Sequence, residues 1–213
     1  MKISLQNLLP NPLKDYSLQK NSLWNNNYDI ESGENILINA ASGKGKTTLT
    51  HILAGLRKDY DGNLIYDGKN TMDFDISHWI QLRQKKISFV FQDLQLLPTL
   101  TFEENILVST SLKGGKSVDK IKEWAAVLGL KDKWSNKVGI LSMGQQQRVA
   151  ILRALSQPFE TLVLDEPFSH LDEHNATLAM ELILTRCEEQ NAGFILTTLD
   201  PTEKYKIDQV INL

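Results

Sequence analysis

The apolar positions of the chain fall into short runs that are bounded by polar or turn residues. Compact apolar runs occupy residues 36–39, 87–91, 161–164, 194–197 and 209–211. Between several of them the apolar residues repeat at helical spacing, as at positions 49, 52, 53 and 56. Short, continuously apolar strands that alternate with helices are typical of parallel sheets covered on both faces. The pattern therefore predicts an α/β fold around a mostly parallel sheet.

The first 35 residues show a different pattern. Apolar and polar residues alternate briefly at 3–5 and 28–30, and the pieces are interrupted by Pro10, Pro12 and a Ser-Gly pair at 32–33. Alternation with a period of two is the mark of strands that are buried on one face only. We therefore expect a small antiparallel β part at the N-terminus.

Residues 95–140 differ again, because they contain helical patterns and no clear strand. The two helical stretches lie near 101–112 and 117–129. We expect a helical subdomain inserted into the α/β core. The predicted organisation is a single domain over 1–213, with 1–94 and 141–213 forming the core.

Composition and charge narrow the class of protein. The 213 residues include 23 Lys and Arg against 26 Asp and Glu, a formal net charge of −3, which argues against a nucleic-acid partner. The single cysteine, Cys187, rules out an internal disulfide and a thiolate metal cluster and fits a reducing compartment. No secretion signal and no run of about 18 apolar residues is present, so we expect a cytoplasmic protein.

A glycine-bearing loop at 40–47 lies between the predicted strand 36–39 and a helix from about 46. The phosphate-loop pattern is Gly, any four residues, then Gly-Lys-Ser/Thr. Gly45, Lys46 and Thr47 match it, whereas Ala40 replaces the first glycine. This replacement costs little if the φ angle of Ala40 is negative. The alternative, a glycine-rich surface turn, is disfavoured by the strand–loop–helix context.

The chemistry of phosphate binding explains which residues of the phosphate-loop pattern this chain keeps. Backbone N–H groups can surround an anion, and the helix start adds its dipole. Lys46 would reach the β- and γ-phosphates, and the Thr47 hydroxyl would bind Mg²⁺. The expected nucleotide-binding residues of the loop are Ala40, Ala41, Ser42, Gly43, Lys44, Gly45, Lys46, Thr47 and Thr48.

Two carboxylates follow the apolar strand at 161–164. Asp165 and Glu166 stand at its carboxyl end, the edge at which open α/β sheets bind ligands. We expect Asp165 to hold Mg²⁺ and Glu166 to act as the general base that polarises the attacking water. A strand terminus followed by a helix cap would be the alternative, and the phosphate loop argues against it.

A second helix start suited to an anion lies at 142–148. Ser142 is a plausible N-cap, and Gly144 would permit close backbone approach to a ligand. One bound nucleotide does not need two such sites, which suggests that the second serves a neighbouring chain. On these residues alone, a capped helix without a ligand is the favoured interpretation.

Five segments together resemble the ATP-binding-cassette (ABC) ATPases, in family order across nearly the whole chain. They are AASGKGKTT (40–48), VFQD (90–93), LSMGQQQRVAILRAL (141–155), LVLDEP (162–167) and SHLD (169–172). The phrase LLPTLTFEENI (96–106) further resembles the subgroup that serves lipoprotein-release and macrolide-export permeases.

The resemblance implies an ATP-binding subunit that forms a head-to-tail homodimer or heterodimer. ATP would lie between the phosphate loop of one chain and Ser142, Gly144 and Gln145 of the other, with Asp172 crossing the interface. The implied partner is an integral-membrane permease, which would hold the subunit at the inner face of the cell membrane.

The resemblance also implies the catalytic set. Glu166, Gln92 and Lys46 would be catalytic, and Mg²⁺ would be held by Thr47, Gln92 and Asp165. Gln92 resembles the loop glutamine of the family that contacts Mg²⁺ and moves with the membrane partner.

The chain departs from the family pattern at four places. Ala40 and Met143 replace glycines, and the adenine-stacking aromatic residue falls near Pro12, which leaves Tyr16 or Trp24 as substitutes. Each of these two is more simply explained as core or surface.

The largest departure is Leu199, which stands where the family has a histidine that contacts the γ-phosphate; His170 is not an obvious replacement. A leucine cannot donate that hydrogen bond. If the alignment shifts by one residue, the position is taken by Thr198, which could donate weakly. Glu166 argues for retained hydrolysis, and Leu199 argues for a slow rate. The alternatives are an ATP-dependent dimerisation switch with little hydrolysis and a soluble ABC protein without a transport role.

Overall fold

The computed structural model describes residues 1–15, 22–41, 43–110, 115–198 and 206–213. The strands are β1 (Lys2–Pro10), β2 (Asn27–Glu31), β3 (Asn35–Asn39), β4 (Tyr60–Tyr66), β5 (Lys69–Asn70), β6 (Ile87–Val90), β7 (Thr161–Asp165), β8 (Gly193–Thr198) and β9 (Gln209–Asn212). The helices are α1 (Lys46–Leu53), α2 (Ile76–Lys85), α3 (Phe102–Thr110), α4 (Val118–Val127), α5 (Met143–Ser156) and α6 (Glu173–Gln190).

The predicted parallel strands form one sheet in the order β6-β7-β8-β3-β9, and each neighbouring pair is parallel. The α/β prediction is therefore confirmed. The register places Asp165 beside Thr197 and Asn39 beside Thr198. Because parallel strands point the same way, the carboxyl ends of β3, β6, β7 and β8 all lie at one edge of the sheet.

Two apolar layers cover the faces of this sheet. In β3, Leu37 belongs to one layer, whereas Ile36 and Ile38 belong to the other. In β7, Leu162 and Leu164 face the first layer, and Val163 faces the second. Burial on both faces explains why these strands read as continuous apolar runs in the sequence.

The N-terminal residues form an antiparallel sheet in the order β2-β1-β4-β5, which confirms the predicted antiparallel part. The sequence pattern did not predict β4, although it pairs with β1 along most of its length. Asp61, Gly62 and Asn63 lie in the first half of β4, and these residue types usually indicate a turn. Pairing with β1 overrides that local preference.

The helices α3 and α4 lie in the two stretches that the helical spacing predicted, between residues 95 and 140. Their buried faces contribute Phe102, Ile106, Ile121 and Trp124 to the same apolar layer as α5. A bridge between Thr101 and Lys137 closes this segment near its ends. Among the residues that the structure describes, no helix is both long and apolar enough to cross a membrane.

Candidate functional site

The loop between β3 and α1 is shaped by a glycine in a left-handed conformation. Gly45 caps α1 with a φ angle of 100°. A Cβ atom at this position would lie 2.9 Å from Leu13 Cδ1 and 3.0 Å from the indole ring of Trp24. Trp24 also donates a hydrogen bond from Nε1 to the carbonyl of Lys44 at 3.2 Å. The N-terminal part of the chain therefore supports the loop from behind.

Lys46 is buried and points back along the loop towards the sheet edge. Its Nζ donates to the carbonyl oxygens of Ala40 at 2.9 Å and Ala41 at 3.4 Å. The same atom lies 3.5 Å from Glu166 Oε1, and the two side chains are 5% and 15% exposed. The φ angle of Ala40 is not positive, so the backbone needs no glycine there.

Thr47 and Gln92 meet although they lie 45 positions apart. Thr47 Oγ1 donates to Gln92 Oε1 at 2.9 Å. Thr47 is in the first turn of α1, and Gln92 follows β6 at the carboxyl edge of the sheet. Two oxygen ligands of the type that Mg²⁺ prefers are thus adjacent to the loop.

Asp165 ends β7 and is fully buried. Thr197 Oγ1 donates to its Oδ1 at 2.6 Å, whereas Oδ2 has no hydrogen-bond partner among the described residues. Burial raises the pKa of this carboxyl above its ordinary value. A buried carboxylate oxygen without a donor, beside Thr47, fits a divalent cation.

Glu166 has an unusual backbone, with a φ angle of 47°. Its N–H donates to the carbonyl of Thr197 at 3.0 Å, across the β7–β8 pair. This conformation follows the last residue of the strand and turns the Glu166 side chain towards Lys46. The catalytic candidates Lys46 and Glu166 are therefore together in the folded chain.

The start of α5 is held by a reciprocal pair of hydrogen bonds. Ser142 Oγ accepts from the N–H of Gln145 at 3.3 Å, and Gln145 Oε1 accepts from the N–H of Ser142 at 3.0 Å. The predicted N-cap is confirmed as a capping box. Met143 follows Ser142 and is 49% exposed.

Gly144 also packs closely against another part of the same chain. A Cβ atom on Gly144 would lie 2.7 Å from the carbonyl oxygen of His170. The absence of a side chain therefore serves the close packing of α5 on the segment after β7.

Asp172 caps α6 in a similar way. Its carboxylate accepts from the N–H of Asn175 at 2.8 Å and from the Asn175 side chain at 2.9 Å and 3.0 Å. The backbone bond is the main reason that the pKa of Asp172 lies below its ordinary value. Asp172 is thus ionised, and it stands at the start of a long helix.

A cavity of about 370 Å³ opens beside Thr47 and Gln92. It is also lined by His51, Asp93 and His170. The sequence pattern did not indicate a role at the site for His51, for Asp93 or for Thr197, which donates to Asp165. One signal was available for His51, because it follows Thr47 by four positions and so shares its helix face.

Comparison with known proteins identifies the family. The ABC transporter family model matches residues 23–169. The chain belongs to this family. The match spans the phosphate loop, Gln92, the start of α5 and the acidic pair after β7.

Similar proteins agree with this assignment. The chain is 38% identical to the aliphatic sulfonates import ATP-binding protein SsuB of Bacillus anthracis, over 85% of this chain and 68% of that protein. It is 33% identical to the lipoprotein-releasing system ATP-binding protein LolD 1 of Chlorobium chlorochromatii (strain CaD3), over 92% of this chain and 82% of that protein. The protein is an ATP-binding subunit of the ABC transporter family.

A solved structure gives the same result for the fold. The bacterial ABC transporter cassette MJ0796, solved as a dimer, superimposes with a TM-score of 0.77 at 31% identity, over 93% of this chain and 88% of that one. The same cassette has been solved as a dimer in a post-hydrolysis state bound to ADP and Pi, again with a TM-score of 0.77. ATP-binding subunits of this family are ATPases.

Three residues of the predicted site in this ABC subunit lie outside the described residues. They are Ser42 in the phosphate loop, Tyr16 as an adenine-stacking candidate and Leu199 at the expected histidine position. The other stacking candidate, Trp24, is only 1% exposed and belongs to the apolar layer behind the loop. Its side chain is part of the core.

Proposed function

We propose that this ABC subunit binds and hydrolyses ATP at the carboxyl edge of its parallel sheet. The observation that supports this most directly is the meeting of Lys46 Nζ and Glu166 Oε1 at 3.5 Å, beside the Thr47–Gln92 hydrogen bond. The loop 40–48 surrounds the phosphates, and Lys46 exchanges its contacts with the loop carbonyls for contacts with phosphate oxygens. Glu166 polarises the attacking water as general base.

The residues around Asp165 fit a magnesium ion. Thr47, Gln92 and Asp165 would hold it, because they offer a hydroxyl, an amide oxygen and a carboxylate oxygen without a donor. Bound there, Mg²⁺ would offset the negative charge of the phosphate oxygens during phosphoryl transfer.

The working unit in this proposal is a head-to-tail dimer, of two identical chains or of this chain with a related one. Ser142, Gly144 and Gln145 at the start of α5 would then face the nucleotide bound by the other chain. The exposed position of Ser142 and Met143 in the single chain supports this arrangement, since both remain accessible to a second chain.

A cleft next to Gln92 supports a membrane-protein partner. It has a volume of about 490 Å³ and is lined in part by Leu56, Ile80, Gln95 and Arg153. Leu56 and Ile80 are 56% and 48% exposed, so an apolar surface is available there. We expect this cleft to bind the cytoplasmic side of a separate permease, which would place the subunit at the inner face of the cell membrane.

The domain division at 95–140 belongs to the same proposal. The helical segment would move as a subdomain relative to 1–94 and 141–213, with Gln92 at the junction.

A second candidate function is an ATP-dependent dimerisation switch that hydrolyses ATP slowly. Met143 favours it, because a large side chain occupies the first position of α5, where the family has a glycine. Leu199, which cannot donate a hydrogen bond to phosphate, points the same way.

Steady-state ATP hydrolysis as a function of protein concentration separates the two candidates. For an active dimer, turnover per chain rises with concentration and disappears in Glu166→Gln. A switch gives the same low baseline in both proteins while ATP still drives dimerisation. Recovery of an integral membrane protein with the native chain from membranes tests the permease, and recovery of none contradicts it.

A further inference from the structure

One buried glutamine of α5 binds the segment that follows β7. Gln147 is 1% exposed. Its Nε2 donates to the carbonyl of Glu166 at 3.1 Å and to Ser169 Oγ at 3.2 Å. Its Oε1 accepts from the N–H of His170 at 2.9 Å. A single side chain thus satisfies polar groups on three residues within 166–170.

The contact with Glu166 falls on a strained backbone. Glu166 has a φ angle of 47°, a conformation that a residue with a Cβ atom keeps only where its surroundings hold it. Two hydrogen bonds hold Glu166 in this conformation. Thr197 binds the N–H of Glu166 from β8, and Gln147 binds its carbonyl from α5.

The same segment is pressed against the first turn of α5. The Cα of Gly144 approaches His170 so closely that a Cβ atom would lie 2.7 Å from the His170 carbonyl. Gln147 and Gly144 therefore fix the start of α5 to the segment 166–170 at two points. Neither contact is explained by capping of the helix, which Ser142 and Gln145 provide.

We propose that Gln147 is a positioning residue for Glu166. It holds the Glu166 backbone in the geometry that turns the carboxylate towards Lys46, and it transmits movement of the α5 start to that carboxylate. The inference rests on the proposed function, in which Glu166 polarises water and the start of α5 faces the partner's nucleotide. Each chain then adjusts its own general base when it engages the nucleotide of the other.

The test compares Gln147→Met with Gln146→Met in the full-length chain. Both replace a glutamine in the same helix by an apolar side chain of similar length. The Gln146 side chain donates instead to the Leu141 carbonyl, at 2.8 Å. We expect Q147M to lower kcat about 10- to 100-fold, the scale of a misplaced catalytic group, with the KM for ATP unchanged within about twofold. Q146M should keep the wild-type kcat.

Hydrogen exchange gives a readout that does not depend on turnover. The His170 amide should exchange faster in Q147M than in the wild type or in Q146M, because its acceptor is gone. In a Glu166→Gln background, Q147M should cause no further loss of kcat. Faster His170 exchange without a fall in kcat would overturn the proposal, as would equal losses in Q147M and Q146M.

Gln147→Glu covers the case in which Q147M does not fold. The glutamate keeps the acceptor for the His170 N–H and loses the donors to Glu166 and Ser169, so kcat should fall while His170 exchange stays slow. An unchanged kcat in this variant contradicts the proposal. Failure of the proposed function gives a different result, since wild type and E166Q then turn over equally whatever stands at position 147.

Discussion

At the scale of single residues, Gly45 shows how the nucleotide loop depends on space as well as on backbone freedom. Its φ angle of 100° disfavours any residue with a Cβ atom, and Leu13 and Trp24 fill the space where that atom would stand. Gly68 has a φ angle of 80° and open space around its missing Cβ atom. Comparing Gly45 with Gly68 therefore separates the cost of backbone strain from the cost of steric overlap.

We expect Gly45→Ala to lower the free energy of unfolding by about 2–4 kcal/mol, as the sum of backbone strain and overpacking. Gly68→Ala should cost only the strain, about 1–2 kcal/mol. Urea unfolding followed by tryptophan fluorescence measures both. Equal costs in the two variants would show that Leu13 and Trp24 move aside.

Cys187 gives a prediction about reactivity and pH. It is buried in α6, and burial raises the pKa of its thiol from 9.0 to about 12. The thiolate is the reactive form, so the folded chain should not be alkylated by iodoacetamide at pH 8, whereas the chain in urea should be. Mass spectrometry detects the added group, and rapid labelling of the native chain would contradict the burial.

The raised pKa of the Cys187 thiol also makes the free energy of unfolding depend on pH. Between about pH 9 and pH 12 the unfolded chain loses the Cys187 proton that the folded chain keeps. The contribution of this thiol to the free energy of unfolding therefore falls as the pH rises through that window.

At the scale of elements, α5 organises the residues around it through its arginine side chains. Arg153 donates to the carbonyls of Leu94 at 2.9 Å and Gln95 at 2.7 Å. These two residues have φ angles of 61° and 47°. Arg153 therefore holds, from the last turn of α5, a strained pair that lies two residues after Gln92.

We expect Arg153→Met to lower the free energy of unfolding by about 1.5–3 kcal/mol, the usual contribution of charge-assisted hydrogen bonds, and to speed amide exchange in residues 92–97. Arg186→Met is the control, because Arg186 is more deeply buried than Arg153 and donates to the carbonyl of Leu155 at the end of α5, away from residues 92–97. It should reduce stability while exchange in 92–97 stays slow. Unchanged exchange in Arg153→Met would show that the loop holds its shape without the arginine.

At the scale of the whole molecule, the proposed dimer would give the start of α5 its function. Ser142 caps α5, and Ser117 caps α4 through the same kind of hydrogen bond. Only the first of these caps is proposed to face a nucleotide. The same substitution, made separately at Ser142 and at Ser117, therefore distinguishes loss of a helix cap from loss of the dimer interface.

In the Glu166→Gln background, we expect ATP with Mg²⁺ to double the mass measured by light scattering at micromolar concentration. Adding Ser142→Glu should abolish this dimer, because the new carboxylate repels the partner's triphosphate. Adding Ser117→Glu should leave it, although each change costs about 1 kcal/mol of cap stability. If both variants dimerised equally strongly, the start of α5 would not lie in the dimer interface.

Local patterns in the sequence predicted a large part of this protein. The strand–loop–helix unit around Lys46, the placement of Asp165 and Glu166 after β7, and the N-cap of α5 at Ser142 each lie within a short stretch of consecutive residues. Such features are set by backbone preferences, by hydrogen bonds between near neighbours and by the period of apolar residues. The family resemblance then placed Gln92 with them.

Only the tertiary structure decided which distant residues meet. Strand order brings Thr197 to Asp165, chain crossing brings Thr47 to Gln92, and helix packing brings Gln147 to Glu166. The need for Gly144 and the burial of Trp24 likewise depend on what lies opposite them. The physical reason is that periodicity records which face of an element is buried, whereas the partner on that face is chosen by the packing of all the elements together.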